Sequence, residues 1–283
     1  MPSTYRHLRT LALVIVLGLT TTFVASTTAG ATPANRTTAA SKATAERRPK
    51  PKPRPVSPLK GTINVSAAAS LTESFTYIAK VFHFLAPGVT INLNFGGSQV
   101  LVGQVEQGAP VDVIATADEA SMRKLSTENL LASDAFLFAH NKLTMLVGKG
   151  NPKNIRSLSD LGRPDVSVAL CALAVPCGKY GAQILANAKV TVTPKSLEDN
   201  VKGVVFKVAV GEVDAGITYV TDALAAASST DLVRIADENN VITAYPIAVP
   251  RTVRNDYLAR VFILFMFSPL AQNIMAIHGF MRA

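Results

Sequence analysis

The sequence predicts an α/β protein whose folded part has two lobes, each a mostly parallel sheet flanked by helices. From Gly61 onward, short apolar runs that are typical of strands alternate with helical patterns in the order β-α-β-α-β. This order indicates a parallel sheet covered by helices. The alternation continues for roughly 220 residues, which is enough chain for two lobes with hinge strands between them.

The first part of this region is predicted to contain three strands and three helices. The first helix has the clearest pattern, because Leu71, Phe75, Ile78, Phe82 and Leu85 recur at spacings of three and four and form a buried stripe. The second helix is expected to end at a glycine. The predicted strands are 62–66, 89–95 and 111–116, and the predicted helices are 71–85, 98–107 and 119–125.

The remaining part is predicted to contain five strands and three helical segments. The strands are 143–147, 166–170, 215–219, 232–235 and 243–249, and the helices are 179–188, 197–210 and 257–278. The last helix should break at Ser268-Pro269, because Ser suits an N-cap and Pro suits the first turn of a new helix.

The lobes are predicted to be discontinuous in sequence. Lobe 1 comprises 61–140 and 245–283, and lobe 2 comprises 141–244, with hinge crossings near 143–147 and 243–247. A cleft that closes about hinge strands is a common way for such folds to enclose a ligand.

The N-terminal segment 1–31 is typical of an export signal. Arg6, His7 and Arg9 precede an apolar stretch at 11–25, and small residues at 29–31 form a cleavage site. The alternative is an uncleaved signal anchor, although the apolar stretch is short for a membrane span of ~20 residues. The sequence therefore predicts an exported protein, either periplasmic or on the cell surface, with membrane tethering through an uncleaved signal as the alternative.

The positive charge of the chain is confined to its N-terminal part. The formal net charge is +9, and residues 1–60 contain 10 Lys and Arg side chains with Glu46 as the single acidic residue. The rest of the chain is neutral, with 18 basic and 18 acidic side chains. A DNA-binding domain usually carries its own basic face, and this chain also contains no Trp for stacking on bases. We therefore expect no nucleic-acid partner.

Residues 32–60 are predicted to form a tether between the signal and the folded region. The segment is rich in Pro, Lys, Arg, Thr and Ala, so it has too few apolar side chains to build a core and should be extended. Its basic residues would suit anionic lipid or cell-wall polymer. A solvated spacer without a specific partner is the alternative.

Signatures of catalysis are absent from the sequence. The four His residues are scattered without metal-ligand spacing, and there is no phosphate loop, dinucleotide fingerprint or nucleophile elbow. We expect neither an enzyme nor a cofactor, and no metal cation held by protein ligands. Glu106 and Asp112 are interpreted as structural acids, and Asp222 as a cap of the helix that follows the strand at 215–219.

Small residues and a serine occur at two predicted strand-to-helix junctions, where ligands of open α/β sheets bind. Ser70 follows three alanines after the first strand, and Ser98 follows two glycines after the second. Two hydroxyls at two helix N-termini can hold an anion, because the N–H groups of a first turn and the helix dipole provide positive potential. The alternative is that both serines are ordinary N-caps.

The order and spacing of several motifs resemble the extracytoplasmic molybdate-binding proteins of ABC transporters. The similarity extends from Gly61 to Phe280 and implies a periplasmic-binding-protein fold of type II. The motifs are Ala67-Ala68-Ala69-Ser70-Leu71-Thr72, Asn94-Phe95-Gly96-Gly97-Ser98, residues 104–113, Ala117-Asp118, Lys149-Gly150-Asn151-Pro152, Val175-Pro176-Cys177-Gly178, residues 211–223, Tyr245-Pro246-Ile247-Ala248-Val249 and His278-Gly279-Phe280.

The resemblance implies an oxyanion site in a cleft between the lobes, built from five residues. Ser70 and Ser98 match two serine ligands, Cys177 and Val201 match backbone N–H donors, and Tyr219 matches a tyrosine whose phenol donates. All five are neutral donors, which suits a fully deprotonated dianion such as molybdate or tungstate. The implied partner is an ABC permease in the membrane, and the protein is expected to be a monomer. Sulfate or another tetrahedral oxyanion, and an exported oxyanion-sensing module, remain alternatives.

The chain contains two cysteines, Cys171 and Cys177, and a disulfide between them is expected. An exported protein with an even number of cysteines usually pairs them, and the two lie six positions apart across a bend. Two free buried thiols are the alternative. An Asp-Pro pair that is common upstream of residue 177 in the family is missing here, but a backbone N–H at 177 does not depend on it.

Overall fold

Nine strands and eight α-helices make up the part of the chain that the computed structural model describes, residues 58–283. The predicted signal segment 1–31 and the tether up to residue 57 lie outside the described residues. The strands are β1 (Lys60–Ala68), β2 (Gly88–Gly96), β3 (Val113–Ala115), β4 (Phe136–Gly148), β5 (Val168–Cys171), β6 (Ser196–Glu198), β7 (Ala215–Tyr219), β8 (Thr230–Val233) and β9 (Ile242–Ala248). The helices are α1 (Thr72–Leu85), α2 (Ser98–Glu106), α3 (Glu119–Thr127), α4 (Pro176–Asn187), α5 (Val201–Ala209), α6 (Val220–Ala225), α7 (Asp256–Met266) and α8 (Pro269–Ile277).

The strands form a mixed sheet in the order β2-β1-β3-β9-β4-β7-β5-β6, with β8 paired to β4. At one end β1 is parallel to both β2 and β3, and at the other end β5 is parallel to both β6 and β7. Strands β4 and β9, which lie between these parallel groups, are antiparallel to their neighbours. The predicted α/β fold class is confirmed.

Strand β4 is longer than predicted, because it begins at Phe136 rather than at 143. Its first half pairs with β9, and its second half pairs with β7 and β8. The first half was missed because Phe136 and Leu137 are exposed, so the segment does not alternate between buried apolar and exposed polar positions. Residues Leu59–Ala283 form one compact unit, and the predicted lobe boundaries stay a prediction.

The predicted helix 197–210 is wrong at its N-terminal end. Strand β6 occupies Ser196–Glu198, and α5 begins only at Val201. Asn200 sets this start, because its side chain accepts hydrogen bonds from the N–H groups of Lys202 at 2.9 Å and Gly203 at 3.2 Å. The predicted break before α8 is confirmed, since the Ser268 hydroxyl accepts a hydrogen bond from the Ala271 N–H.

An aromatic cluster packs α1 and α7 against the sheet. Phe75 contacts Phe138 and Phe262 edge to face, and Phe82 contacts Phe262 and Phe265 in the same way, with ring centroids 5.1–6.2 Å apart. All five side chains are buried. Edge-to-face pairs contribute about 0.5–1.5 kcal/mol beyond the area that they bury, so this cluster anchors α1, whose N-terminal end lies beside the candidate site.

Within residues 58–283 no single helix is long and apolar enough to cross a membrane. The pair α7 and α8, bent by 63° at Ser268-Pro269, passes the same test of length and composition only when the two helices are taken together.

Candidate anion-binding site

A small cavity lies where strand ends and helix starts converge. Strands β1, β2 and β7 end at it, and helices α2, α4 and α5 begin at it. About 210 Å³ of space, part of it open to solvent, lies between the residues that line the cavity. All five residues that the resemblance implied line this cavity, namely Ser70, Ser98, Cys177, Val201 and Tyr219. The structure therefore brings the complete predicted set together around a space suited to a small ligand.

The cavity wall carries no formal charge. Among the described residues, no Asp, Glu, Lys, Arg or His lines it. Its positive potential comes instead from the first-turn N–H groups and dipoles of α2, α4 and α5, which have no partners inside their own helices. Helix N-termini of this kind bind anions without a neutralising cation.

Ser98 is the first residue of α2 and is buried, but its hydroxyl does not cap the helix. The N-cap position is Gly97, and the Ser98 Oγ accepts a hydrogen bond of 3.1 Å from the Ala117 N–H. The alternative of an ordinary N-cap is therefore wrong for Ser98. Because an N–H group occupies one lone pair of Oγ, the Ser98 proton is available for a ligand in the cavity.

Ser70 lies in a short 3-10 turn, Ala69–Leu71, between β1 and α1. Its hydroxyl makes no cap either, because its hydrogen-bond partner is the Tyr245 Oη at 2.8 Å. Both side chains are buried. The N-cap alternative is thus wrong for both serines. Each hydroxyl instead forms a hydrogen bond with a residue from a distant part of the chain, Tyr245 for Ser70 and Ala117 for Ser98.

Tyr219 ends β7, and its side chain is 1% exposed. Among the residues that the structure describes, no hydrogen-bond partner reaches its hydroxyl. Burial raises the pKa of Tyr219 well above the usual value, so the phenol keeps its proton. A buried polar group without a partner costs about 1–3 kcal/mol, which an acceptor in the cavity would recover.

Cys177 and Val201 lie in the first turns of α4 and α5, where backbone N–H groups have no partner inside their own helix. Pro176 and Cys177 form the first turn of α4, and no side chain caps that helix. At α5 the Asn200 side chain takes the N–H groups of Lys202 and Gly203 and leaves that of Val201. A disulfide joins Cys171 to Cys177, with Cα atoms 5.8 Å apart, and ties the end of β5 to the first turn of α4 as predicted.

Two glycines permit close approach of the backbone around the cavity. A Cβ atom at Gly97 would lie 2.5 Å from the Asp199 carbonyl oxygen, and one at Gly178 would lie 2.0 Å from the Ala172 carbonyl oxygen. Both distances are too short for any side chain. Gly97 thereby allows the β2–α2 junction to meet the loop before α5, where the Gln99 amide donates to the Asp199 carbonyl at 2.9 Å.

An ion-pair cluster lies beside the site and was not predicted. The Lys202 Nζ is 2.8 Å from both carboxylate oxygens of Glu73 and 2.9 Å from the Asp222 Oδ1. Burial alone would lower the pKa of Lys202, but the two carboxylates outweigh it and hold the pKa above the usual value. Burial raises the pKa of Asp222, which is completely inaccessible to solvent. Asp222 does not occupy the N-cap position of α6, which is Tyr219, but it is the acidic residue of that helix's first turn.

The other two acids have the structural roles that were predicted. Glu106 forms an ion pair with Lys124. Asp112 is buried and accepts hydrogen bonds of 2.7–3.1 Å from the N–H groups of Asn64, Arg254 and Asn255. Over the described part of the chain, no group of three or more His, Cys, Asp or Glu side chains is arranged to hold a metal ion.

Sequence reasoning missed several residues that shape the cavity. Asn200 lines it and could have been found from its capping position before a helical pattern. Ala117 holds Ser98 through its backbone, and Tyr245 holds Ser70 from 175 positions away. No local pattern marks contacts of that kind.

Known proteins are similar to this chain over most of its described region. A family model described as bacterial extracellular solute-binding protein matches residues 63–281. The molybdate-binding protein ModA of Mycobacterium tuberculosis is 38% identical over 230 residues, which are 81% of this chain and 88% of that protein.

Two solved structures show the same fold. The periplasmic molybdate-binding protein of Azotobacter vinelandii matches with a TM-score of 0.70 at 18% identity, over 78% of this chain and 99% of that one. The sulfate-binding protein SubI of Mycobacterium tuberculosis matches with a TM-score of 0.68 at 22% identity, over 78% of this chain and 87% of that one. With its match to the family model over almost the whole described region, this chain belongs to the bacterial extracellular solute-binding proteins.

Proposed function

We propose that this protein captures molybdate or tungstate in the cavity between β1, β2, β7 and the starts of α2, α4 and α5. The observation that carries the proposal is that five residues able to offer neutral donors line one small cavity, which no charged side chain of the described residues lines. The 38% identity to a molybdate-binding protein supports this choice of ligand among the tetrahedral oxyanions.

The donors explain how a dianion can be held without a cation. Ser70, Ser98 and Tyr219 offer hydroxyl protons, and Cys177 and Val201 offer backbone N–H groups. A hydrogen bond to a charged group makes a net contribution of about 1.5–3 kcal/mol after the exchange with water is counted, so five such donors favour binding of a dianion without a cation. The protein binds its ligand without changing it chemically, acts as a monomer and delivers the oxyanion to an ABC permease.

Export places this capture outside the cytoplasm. In our proposal the signal segment is cleaved after Ala31, and residues 32–60 tether the folded region. The membership in the extracellular family supports export. Intact mass of exported protein tests the cleavage site: a chain beginning at Thr32 agrees with it, whereas a chain that retains Met1 on membranes indicates an anchor.

Calorimetric titration of the purified protein with molybdate, tungstate, sulfate and phosphate tests the ligand. We expect saturable binding of molybdate and tungstate, weaker binding of sulfate and the weakest binding of phosphate. A preference for sulfate over molybdate would contradict the proposed ligand, and the absence of binding to all four would contradict the site.

Single substitutions then test the donors. Ser98→Ala and Tyr219→Phe should each weaken molybdate binding by about 1.5–3 kcal/mol and leave the fold intact, because each removes one hydrogen bond to a charged ligand. Ser228→Ala and Tyr257→Phe are matched controls, since both residues are exposed. Unchanged affinity in both site variants would show that the ligand binds elsewhere.

A further inference from the structure

Tyr245 lies behind the candidate site rather than in its wall. It is a residue of β9, its side chain is fully buried, and it does not line the cavity. Its hydroxyl is nevertheless 2.8 Å from the Oγ of Ser70, one of the predicted donors. On its other side the Asn141 Nδ2 lies 3.4 Å from the same phenol oxygen.

The hydrogen bonds around Asn141 set the direction of this chain of polar groups. The Asn141 Oδ1 accepts the Lys142 N–H at 2.9 Å, and this contact identifies the other atom of the amide as the NH2 group. An amide NH2 only donates, so the Tyr245 oxygen accepts from it. The second NH2 proton goes to the Thr221 Oγ1 at 3.0 Å, which holds the amide in place.

Among the described residues, the Ser70 oxygen is the acceptor that lies at hydrogen-bond distance from the Tyr245 hydroxyl, at 2.8 Å, whereas the Tyr219 hydroxyl forms no hydrogen bond with it. Burial raises the pKa of Tyr245, so the phenol remains protonated. When Ser70 accepts this proton, its own hydroxyl proton is free to point into the cavity. The hydroxyl proton of Ser98 is free in the same way, because the Ser98 Oγ accepts a hydrogen bond from the Ala117 N–H.

We propose that Tyr245 is a positioning residue that determines specificity: its proton occupies an acceptor position of the Ser70 oxygen, so that the Ser70 hydroxyl faces the ligand as a donor rather than as an acceptor. This inference rests on the proposed function. The site would favour oxyanions without hydrogen, such as molybdate and sulfate, over those that carry an O–H group, such as hydrogen phosphate. Tyr219 retains a free acceptor position, so the discrimination is graded and not absolute.

Tyr245→Phe isolates the hydroxyl from the packing of the ring. The ring contacts Phe280 and Tyr219 edge to face, with centroids 5.3 Å and 6.0 Å away, and these contacts persist in the variant. Without the phenol proton, Ser70 can turn its hydroxyl and accept an O–H from a ligand. The variant should therefore bind molybdate more weakly and lose discrimination against hydrogen phosphate.

The experiment measures the dissociation constants of molybdate and phosphate for the full-length protein and its variants at pH 7.5. In Tyr245→Phe the preference for molybdate over phosphate should fall by about tenfold, the equivalent of one hydrogen bond. Tyr219→Phe loses a donor that serves both anions, so its preference should not fall, and Tyr257→Phe should match the unaltered protein. If Tyr245→Phe does not fold, Asn141→Ala serves as the second variant, because it removes the donor that sets the direction of the Tyr245 hydroxyl and should lower the preference in the same sense.

A folded Tyr245→Phe variant with an unchanged preference, or with equal losses for both anions, would overturn the inference and leave Tyr245 as a packing residue. Failure of the proposed function has a different signature, because the unaltered protein would then bind none of the tetrahedral oxyanions or would prefer sulfate to molybdate.

Discussion

Asp214 illustrates how one carboxylate joins two segments of the protein. One of its oxygens, Oδ2, accepts hydrogen bonds of 2.7 Å from both the N–H and the hydroxyl of Ser167, just before β5. Burial opposes ionisation of this carboxyl, but the two hydrogen bonds outweigh that effect and lower its pKa. The contact holds β5 beside β7, the strand that ends at Tyr219.

The lowered pKa of Asp214 predicts a pH-dependent contribution to stability. A carboxyl with a folded-state pKa below its unfolded value of ~3.9 stabilises the fold above that pH, and this stability is lost as the pH falls through the folded-state pKa. Asp214→Asn should therefore lower the free energy of unfolding by about 1 kcal/mol at pH 7.

Urea unfolding at neutral and acidic pH measures this effect. The difference between Asp214→Asn and the unaltered protein should shrink as the pH falls toward about 3. A difference that stays constant over this range would show that ionisation of Asp214 does not contribute to stability. Asp134→Asn, at an exposed position, is the matched control.

At the scale of elements, Lys202 joins three helices through opposite charges. It belongs to α5, its partner Glu73 to α1 and its partner Asp222 to α6. The two carboxylates differ in environment, because the side chain of Glu73 is 40% exposed and that of Asp222 is 0% exposed. Because of this difference, loss of the two ion pairs should have different effects on the free energy of unfolding.

Lys202→Met should destabilise the protein by about 3–5 kcal/mol, because it leaves Asp222 buried without its cation. Glu73→Gln should cost less than about 1 kcal/mol, as expected for a partly exposed ion pair. The double change Lys202→Met with Asp222→Leu should recover most of the loss. Denaturant unfolding measures all three variants, and equal small losses in both single variants would indicate that Asp222 is protonated in the folded protein.

Much of the order of elements could be predicted from the sequence because local patterns determine it. The stripe of α1, the alternation of β2 and the Ser268-Pro269 break are all visible within a few residues. Strand β6 and the first half of β4 have no such pattern, since Leu197 and Phe136 are exposed apolar residues whose pairing depends on distant strands.

The residues of the candidate site also differ in how far the sequence could predict them. The serines at two strand-to-helix junctions could be recognised locally, and the resemblance supplied Cys177, Val201 and Tyr219. The residues that hold these groups could not be predicted, because the Ser70–Tyr245 and Glu73–Lys202 contacts join positions 175 and 129 residues apart. Only the folded chain shows that the serine hydroxyls are free of capping roles.

At the scale of the whole molecule, charge and binding are separated along the chain. The net charge of +9 belongs to residues 1–60, whereas the remaining residues carry equal numbers of basic and acidic side chains. The cavity itself is lined by dipoles rather than charges. Capture of an anion by this protein should therefore not depend on long-range attraction by a charged surface.

This separation predicts that molybdate affinity is nearly independent of ionic strength. Hydrogen bonds between the cavity wall and a ligand act over about 3 Å, far below the screening length of ~10 Å at 0.1 M salt, so added salt should hardly weaken them. The dissociation constant should change by less than about threefold between about 50 mM and about 500 mM sodium chloride. Chloride is a suitable salt for this titration because sulfate would compete for the site. A decrease of affinity by tenfold or more over this range would mean that a formal positive charge contributes to binding, and the basic residues of the tether would be the first candidates for its source.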